Sequence, residues 1–274
     1  MSESDLAELT AQSLARIRER TPLIHNITNF VVMNDTANVL LAFGASPVMA
    51  HAVEEEREMV AYAGALVLNI GTLDDRWIEA MLIAGEEANA RGIPVVLDPV
   101  GVGATQLRTT TTERIRSGVK VAVVRGNAAE LAAIAGIEAK IRGVDSVASG
   151  DPASAARLAA ARFGGSAVVS GAVDYVSDGS RLAEVRNGHP LMGRITGSGC
   201  MATATVGAFL AVEPDPFLAA TEAMIAFGIA GEIAAERSGG PGTFRAQLMD
   251  AAAALDEATI LARTRASVQE AQTA

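Results

Sequence analysis

The sequence predicts an α/β fold of three layers, in which a mostly parallel central sheet lies between two layers of helices. Short segments such as ALVLN, VVLD and SAVV are apolar throughout, which is typical of strands buried on both faces. They alternate with longer segments whose apolar residues recur at helical spacing. Because no linker, low-complexity tract or repeat interrupts this alternation, we expect a single domain over residues 1–274.

The elements can be followed in order from the N-terminus. Leu6, Leu14 and Ile17 lie near helical spacing and predict a first helix, with Ser4 or Asp5 as its cap. Further helices are predicted over residues 30–43, 53–62, 74–90 and 109–117, and another opens at Asn127. The intervening strands are predicted in PLIHNITNF, SPVMA, ALVLNIGTL, IPVVLDPVG, VAVVRGN and GSAVVSG. Strands joined through helices pair in parallel.

The organisation changes in the last third of the chain. Residues 174–178 and 181–186 are predicted as two short strands joined by the hairpin signal Asp178-Gly179-Ser180. After Gly197-Ser198-Gly199 the chain is predicted to be mostly helical to its end. The expected helices cover residues 200–212, 216–236 and 243–263.

Composition excludes several classes of protein. Half of the 274 residues are hydrophobic and 20% are charged, so the chain can bury a core and is not disordered. Its net charge of −10 and its pI near 4.9 argue against a general nucleic-acid coat or a binder of anionic membranes. A single cysteine excludes an internal disulfide framework and Cys-rich zinc modules.

The sequence also carries an expectation about location. The first twenty residues are polar, without the apolar core of a signal peptide. Apolar stretches such as CMATATVGAFLAV are too short to span a bilayer. We therefore expect a cytoplasmic protein that does not interact with membranes.

Polar loops follow five of the predicted strands. Ligands of open α/β sheets bind outside the carboxyl ends of the strands, so these loops predict a site. They are Asn69–Thr72, Asp98–Gly103, Arg125–Asn127, Ser170–Gly171 and Thr196–Cys200. One such loop would mean little, but a set of five is harder to dismiss.

The segment ITGSGCMATA gives the strongest of these signals. Gly197, Ser198 and Gly199 open a long apolar helix, where free backbone N–H groups and the helix dipole favour a phosphate. Cys200 lies in the first helical turn, where the pKa of a thiol tends to fall. The alternative is that the glycines form only a tight turn and that Cys200 is a small core residue.

Two carboxylates and one cation are candidates near the same edge. Asp98 follows a buried strand and could hold Mg²⁺, or serve as a turn residue. Glu130 could share the magnesium water shell, or complete a capping box with Asn127. Arg125 could pair with nucleotide phosphates, or be an exposed charge.

The remaining candidates lie earlier in the chain. Residues 25–29 (HNITN) could form the rim of a small-molecule pocket or only cap the following helix. Met49 could line a heteroaromatic ring or belong to the core. His51 is interpreted as a surface or packing residue, and Trp77 with Glu54–Glu56 as a helix face. The motifs GxxxxGK(S/T) and GxGxxG are both absent, which disfavours Walker-type kinases and dinucleotide dehydrogenases.

With these residues in view, the chain is similar to the hydroxyethylthiazole kinases of thiamine salvage, within the ribokinase-like superfamily. The resemblance runs from about Leu14 to Arg263. It rests on PLIHNITNFVVMNDTAN, SPVMA, LNIGTL, VVLDPVGVGAT, VRGNAAE and ITGSGCMATA, in that order. The HNITN segment and a cysteine where the superfamily usually has aspartate point to the thiazole enzymes.

The resemblance implies transfer of the γ-phosphoryl group of ATP to the primary alcohol of 4-methyl-5-(2-hydroxyethyl)thiazole, with Mg²⁺ as cofactor. It implies a homotrimer with the thiazole pocket at the subunit boundary. The implied roles are acceptor binding by Met49, Asn26, Asn29 and Gly197, ATP binding by Arg125, Asn127 and Ser170, magnesium binding by Asp98 and Glu130, and catalysis by Gly197, Ser198, Gly199 and Cys200, with Cys200 at the base position. Ser170 and Ser198 are often threonine in relatives, which keeps the hydroxyl.

Three other functions stay open. A ribokinase-like kinase acting on hydroxymethylpyrimidine or pyridoxal would carry aspartate in place of Cys200. The nucleotide-dependent dehydratase that repairs hydrated NADH is a lyase of the same fold, but it also carries aspartate there and lacks a segment like HNITN. A non-catalytic nucleotide-binding protein would not need Asp98, Glu130 and Cys200 together.

Overall fold

A computed structural model describes residues 1–137 and 151–270. The strands are β1 (Leu23–Ile27), β2 (Ser46–Val48), β3 (Ala65–Asn69), β4 (Val95–Asp98), β5 (Val123–Asn127), β6 (Ser166–Ser170), β7 (Asp174–Ser177), β8 (Arg181–Val185) and β9 (Ala266–Glu270). The helices are α1 (Glu3–Arg20), α2 (Met33–Phe43), α3 (Glu56–Val60), α4 (Asp75–Arg91), α5 (Gln106–Gly118), α6 (Ala128–Ala135), α7 (Pro152–Phe163), α8 (Ser198–Leu210), α9 (Pro216–Glu236), α10 (Pro241–Ala254) and α11 (Glu257–Arg263). A 3-10 helix covers Pro190–Arg194.

The strands form one nine-stranded sheet in the order β2-β1-β3-β4-β5-β6-β7-β8-β9. The first six of these positions are paired in parallel, and β7, β8 and β9 are antiparallel. The prediction of a mostly parallel sheet is confirmed, and so is the hairpin between β7 and β8. The parallel strands all end at one edge of the sheet, where Asn69 is paired with Asp98 and Asn127 with Ser170.

Alternate residues of each central strand belong to two separate cores. Val67 and Val96 pack into the core formed with α1, α2, α8, α9 and α10. Leu66 and Leu97 pack into the core formed with α4, α5, α6 and α7. Because both faces of these strands are buried, their sequences are continuously apolar, and the three-layer prediction is confirmed.

Local signals fixed several boundaries correctly. Asn127 accepts a hydrogen bond from the backbone N–H of Glu130, whose carboxylate accepts one from the N–H of Asn127, which confirms the capping box. Gly44 ends α2 with φ of 98°, a left-handed conformation that glycine adopts without strain. The first helix is capped by Ser2, not by Ser4 or Asp5, because Asp5 instead completes a capping box as the third helical residue.

The C-terminal prediction of one helix over residues 243–263 is wrong. Two helices, α10 and α11, are separated by Leu255, which is extended (φ −63°, ψ 122°) and 1% exposed. Asp256 then caps α11. A continuous apolar pattern hid this break, because Leu255 contributes to the core from either conformation. The strand β9 and the helix α7 are also absent from the sequence prediction, and α3 is shorter than expected.

The helix predicted over residues 216–236 has the expected bounds, but it does not fit the expectation that the apolar stretches are too short to span a bilayer. The 21-residue helix α9 has a mean hydropathy of 1.5 over its most apolar window, long and apolar enough to cross a membrane. Within the fold 89% of that window is buried, because α9 packs between α1, α8, α10 and the sheet. Its composition is therefore that of a central core helix.

Candidate functional site

The N-terminus of α8 presents an open set of backbone donors at the carboxyl edge of the sheet. Gly197 precedes the helix with φ of 83°, and a Cβ atom there would lie 2.6 Å from Cγ1 of Val32. The amides of Ser198, Gly199 and Cys200 belong to the first turn, which has no intrahelical acceptors for them. A Cβ on Gly199 would lie 2.7 Å from Nη1 of Arg125, so glycine lets the turn approach the guanidinium.

Arg125 faces this turn from the end of β5. Its side chain is buried, and Nη2 donates to Oγ of Ser170 at 2.8 Å. Nε of Arg125 is buried without a hydrogen-bond partner among the described residues. The charge of the guanidinium lowers the pKa of both Asp98 and Asp174. A buried cation with an unused N–H donor is suited to a phosphate.

A cavity of about 510 Å³ opens beside Arg125 and the start of α8. Its polar end includes Arg125, Ser170, Asp174, Ser198 and Gly199. Its other end includes Met192, Met224 and Phe227. The volume and the mixed lining are those of a small-molecule site. Asp174 and the apolar lining were not identified from the sequence.

Asp98 lies at the base of the site and is almost inaccessible, at 2% exposure. Its Oδ2 accepts hydrogen bonds from Nδ2 of Asn69 and from Oγ1 of Thr203, each at 2.8 Å. Burial raises the pKa of Asp98 to about 6; the Arg125 guanidinium lowers it and the Glu130 carboxylate raises it further.

Cys200 is half-buried above Asp98. Nδ2 of Asn29 lies 3.5 Å from its Sγ and donates to Oδ1 of Asn69 at 2.9 Å. Burial and then the charge of Asp98 raise the pKa of the Cys200 thiol to about 11. The expectation of a lowered thiol pKa at this helix terminus is therefore wrong, because burial and a neighbouring carboxylate outweigh the helix dipole. The thiol is neutral at physiological pH.

Glu130 combines its structural role with a place beside the site. Oε2 accepts from the N–H of Asn127 at 2.8 Å, and Oε1 accepts from the N–H of Gly101 at 2.7 Å. The carboxylate thus ties the loop after β4 to the end of β5. Among residues 1–137 and 151–270 no group of three His, Cys, Asp or Glu could hold a metal. Mg²⁺ commonly takes one or two carboxylates together with substrate phosphates and water, so Asp98 and Glu130 fit it.

The early residues proposed to bind the acceptor differ in their burial and in their distance from Asp98 and Cys200. Asn29 is buried and reaches the thiol. His25 and Asn26 are fully buried in β1; Nδ2 of Asn26 donates to the carbonyl of Ile24. These two form no open rim. Met49 follows the edge strand β2, three strand spacings from Asp98, which is roughly 14 Å in the sheet.

The other early residues form two small groups. His51 is exposed, as expected, and packs its ring 4.1 Å from that of Trp77, which also contacts Phe30 at 4.8 Å. Of Glu54–Glu56, which were interpreted as a helix face, only Glu56 lies within α3, and it is fully buried with Oε2 3.5 Å from Nε2 of His25. That imidazole also contacts the carbonyl of Ala50 at 3.1 Å.

Glu56 predicts a pH dependence of stability. Burial, with the nearby Glu55 charge, raises its pKa from 4.5 to about 8, so the folded chain keeps a proton that the unfolded chain releases. Stability therefore falls as pH rises from 4.5 to 8, by at most about 1.4 kcal/mol per pH unit. The variant Glu56→Gln has no carboxyl group at this position, so its free energy of unfolding should not fall with pH for this reason. We therefore expect Glu56→Gln to gain stability relative to wild type between pH 5 and pH 8.5.

Urea denaturation at both pH values measures this difference. The control is Glu58→Gln, which neutralises an exposed carboxylate two residues away. If the free energies of unfolding of Glu56→Gln and wild type differ by the same amount at pH 5 and at pH 8.5, the raised pKa of Glu56 is contradicted.

Several residues of the site were not given a role by sequence reasoning. Asn69 was noted only as part of a polar loop. Thr203 is a buried polar residue one turn after Cys200 in an apolar helix, which is a signal that could have identified it. Arg108 donates to the carbonyls of Ile70, Gly71 and Val100, and so fixes the loops after β3 and β4. Nothing local in the sequence identifies these acceptors.

Comparison with known proteins shows the family. The family model described as "Hydroxyethylthiazole kinase family" matches residues 14–258. The chain belongs to the hydroxyethylthiazole kinase family. It is accordingly a kinase that acts on an alcohol, and an enzyme of thiamine salvage.

Individual relatives match over nearly the full length. Hydroxyethylthiazole kinase of Desulforudis audaxviator is 54% identical over 91% of this chain and 92% of its own. That of Desulfosudis oleivorans is 51% identical over 97% of this chain and 98% of its own. The structure of the Pyrococcus horikoshii enzyme is 48% identical, with a TM-score of 0.88 over 95% of this chain and 99% of its own.

More distant structures support the fold alone. Pyridoxal kinase of Staphylococcus aureus, solved with AMP-PCP and pyridoxal, is 16% identical, with a TM-score of 0.61 over 91% of this chain and 99% of its own. The prediction of a ribokinase-like fold is confirmed by this neighbour and by the family match.

Proposed function

We propose that the protein transfers the γ-phosphoryl group of ATP to the primary alcohol of 4-methyl-5-(2-hydroxyethyl)thiazole. One observation carries the proposal: Arg125 and the first residues of α8, Ser198 and Gly199, line one cavity of about 510 Å³, and Cys200 is the next residue of that helix. We place the reaction in the cytoplasm, where ATP is available to a metabolic kinase.

ATP is proposed to occupy the cavity beside β5 and β6. Arg125 and Ser170 would bind its phosphates, and Asn127, paired with Ser170 across the two strands, lies at the same edge. The amides of Ser198 and Gly199 would receive the transferred phosphoryl group. Because these donors are fixed by the helix, they need no rearrangement when charge develops.

Mg²⁺ is proposed to bind near Asp98 and Glu130. When bound, the ion would neutralise phosphate charge and align the reacting phosphate. Asp98 keeps its position through Asn69 and Thr203, and Glu130 through the backbone of Gly101 and Asn127.

The acceptor alcohol is proposed to lie between Gly197 and Cys200, with Asn29 fixing the thiol. Because its pKa is about 11, the thiol is almost entirely protonated at neutral pH and does not supply a base. It would orient the hydroxyl, whose proton would pass to a phosphate oxygen or to water as the new O–P bond forms and the bond to ADP breaks. Phosphoryl transfer depends mainly on positioning and charge stabilisation, so a strong base is unnecessary.

The same proposal includes a homotrimer whose acceptor pocket lies at the subunit boundary, with Asn26 and Met49 on that side. Phe30 and Val31, next to Asn29, are each 62% exposed, and Tyr62 is 78% exposed. A second copy would cover these apolar side chains. Phe30, Val31 and Met49 follow the carboxyl ends of β1 and β2, whereas Tyr62 precedes β3 at the other end of the sheet. Light scattering of the purified protein measures the subunit number.

Cys200→Asp tests the acceptor side of the proposal. Because the thiol orients rather than deprotonates, we expect the folded variant to keep kcat within about tenfold of wild type. ATP consumption should be measured with hydroxyethylthiazole, hydroxymethylpyrimidine and pyridoxal in parallel. Hydroxyethylthiazole should be the preferred acceptor for both proteins.

Other results would redirect the assignment. Complete loss of activity in a folded Cys200→Asp variant would show that the thiol has a special chemical role. Preference for another alcohol would favour one of the related kinases. ATP binding without turnover on any acceptor would favour a nucleotide-binding protein.

A further inference from the structure

Asn69 connects the two halves of the proposed site. It ends β3 directly opposite Asp98 of β4 and is 1% exposed. Its Nδ2 donates to Oδ2 of Asp98 at 2.8 Å. Its Oδ1 accepts from Nδ2 of Asn29 and from the N–H of Gly71, each at 2.9 Å.

The orientation of this amide is fixed by its neighbours. The N–H of Gly71 can only donate, so it requires Oδ1, and an ionised Asp98 can only accept, so it requires Nδ2. Turning the amide over would break both hydrogen bonds. Asn69 therefore has one arrangement, which holds the loop after β1 and the carboxylate of β4 together.

Gly71 leaves room for Asn29 to approach Asn69. A Cβ on Gly71 would lie 2.6 Å from Nδ2 of Asn29, so glycine allows Asn29 to reach both Asn69 and the thiol. Asn69 does not line the cavity beside Arg125. Its effect on the reaction is therefore exerted through Asp98, Asn29 and Cys200 rather than by contact with the nucleotide.

We propose that Asn69 is a positioning residue that sets the geometry between the Asp98 carboxylate and the Cys200 thiol, by binding Asp98 with its amide nitrogen and Asn29 with its amide oxygen. The consequence for catalysis rests on the proposed function; the geometric role does not. Aspartate at this position would place a second carboxylate against Asp98. Alanine would remove one of the two side chains that donate to Oδ2 of Asp98, and also the oxygen that accepts from Nδ2 of Asn29.

Thr203 supplies a matched control. It donates to the same Oδ2 of Asp98 at 2.8 Å, from the opposite side, through α8. Thr203→Val removes that hydrogen bond and keeps the shape of the side chain. Both variants loosen Asp98, but only the Asn69 variants release Asn29 from the thiol.

Two readouts separate positioning from general destabilisation. For Asn69→Ala we expect kcat to fall about 10- to 100-fold, with KM for ATP and for the alcohol within about threefold of wild type. Cys200 is the single cysteine, so its alkylation by iodoacetamide reports directly on the thiol. We expect faster alkylation in Asn69→Ala and an unchanged rate in Thr203→Val.

The measurements are made on the full chain, with thermal unfolding to establish that each variant is folded. Asn69→Ser is included as a smaller disturbance if the alanine variant is unstable. Unchanged kcat in the folded Asn69 variant would overturn the proposal, and so would equal alkylation rates in the Asn69 variant, Thr203→Val and wild type. Alkylation requires no substrate, so a wrong acceptor assignment would not obscure this result.

Discussion

Replacing Gly197 by valine is expected to lower kcat by about 100-fold or more, with a much smaller effect on ATP affinity. Gly197 has φ of 83°, and a Cβ there would lie 2.6 Å from Cγ1 of Val32. The variant must shift the first turn of α8, which carries the amides proposed to receive the phosphoryl group. Arg125 and Ser170, the proposed ATP-binding pair, hold each other from β5 and β6 and are not displaced. Steady-state kinetics and calorimetric ATP titration measure the two effects separately.

A pair of milder variants tests the physical cause. Gly197→Ala adds the Cβ atom alone. Combining it with Val32→Ala removes the 2.6 Å contact and leaves one of 3.3 Å to the Cβ of residue 32. The left-handed backbone, which costs an L-residue about 1–2 kcal/mol, is retained. We expect the double variant to recover part of the kcat lost in Gly197→Ala. Equal losses of kcat and of ATP affinity in Gly197→Val would contradict placement of the alcohol beside this glycine.

Asp98→Asn is the second change with a large expected effect. The amide oxygen can still accept from Asn69 and Thr203, so the hydrogen bonds are retained while the charge is lost. Because that charge is proposed to hold Mg²⁺, we expect kcat to fall by about 100-fold or more. The Mg²⁺ concentration for half-maximal rate should also rise. Both come from initial rates measured over a series of Mg²⁺ concentrations.

Asp174→Asn provides the matched comparison. Asp174 is also buried beside Arg125, burial raises its pKa to about 6, and its carboxylate accepts from the N–H of Gly171. It lines the cavity, so its replacement should change KM for ATP without changing the Mg²⁺ dependence. If Asp98→Asn shows wild-type Mg²⁺ dependence, Asp98 does not hold the ion.

Most predictions that depended on neighbouring residues succeeded, although α1 is capped by Ser2 and not by Ser4 or Asp5. The Asn127–Glu130 capping box and the Gly44 terminus follow from interactions within a few residues, and the structure contains both. The larger failures concern properties that depend on residues distant in the chain. The thiol pKa depends on burial and on Asp98, about a hundred residues away in the chain, and it moves opposite to the local expectation.

The candidate site residues divide in the same way, into those with a local sequence pattern and those whose partners are distant in the chain. Arg125, Ser170 and the Gly197–Cys200 turn were identified because each follows a strand or opens a helix with a distinctive local pattern. Asn69 was recognised as part of a loop, but its role was not, because its partners come from β1, β4 and the turn after itself. Which polar residues at the strand ends become neighbours depends on the order of the strands in the sheet, and the structure shows that order.

By itself the sequence determined the layered α/β architecture and, through its ordered motifs, the family, and it predicted the edge at which the candidate site lies. Apolar strands, capping residues and glycine turns encode these features over short distances, where backbone geometry leaves few alternatives. Only the tertiary structure decided the burial of Cys200 and Glu56, the division of the last helical segment and the joining of Asp98 to Asn29 through Asn69. These depend on packing between segments distant in the chain, which changes solvation, charge and hydrogen bonding at once.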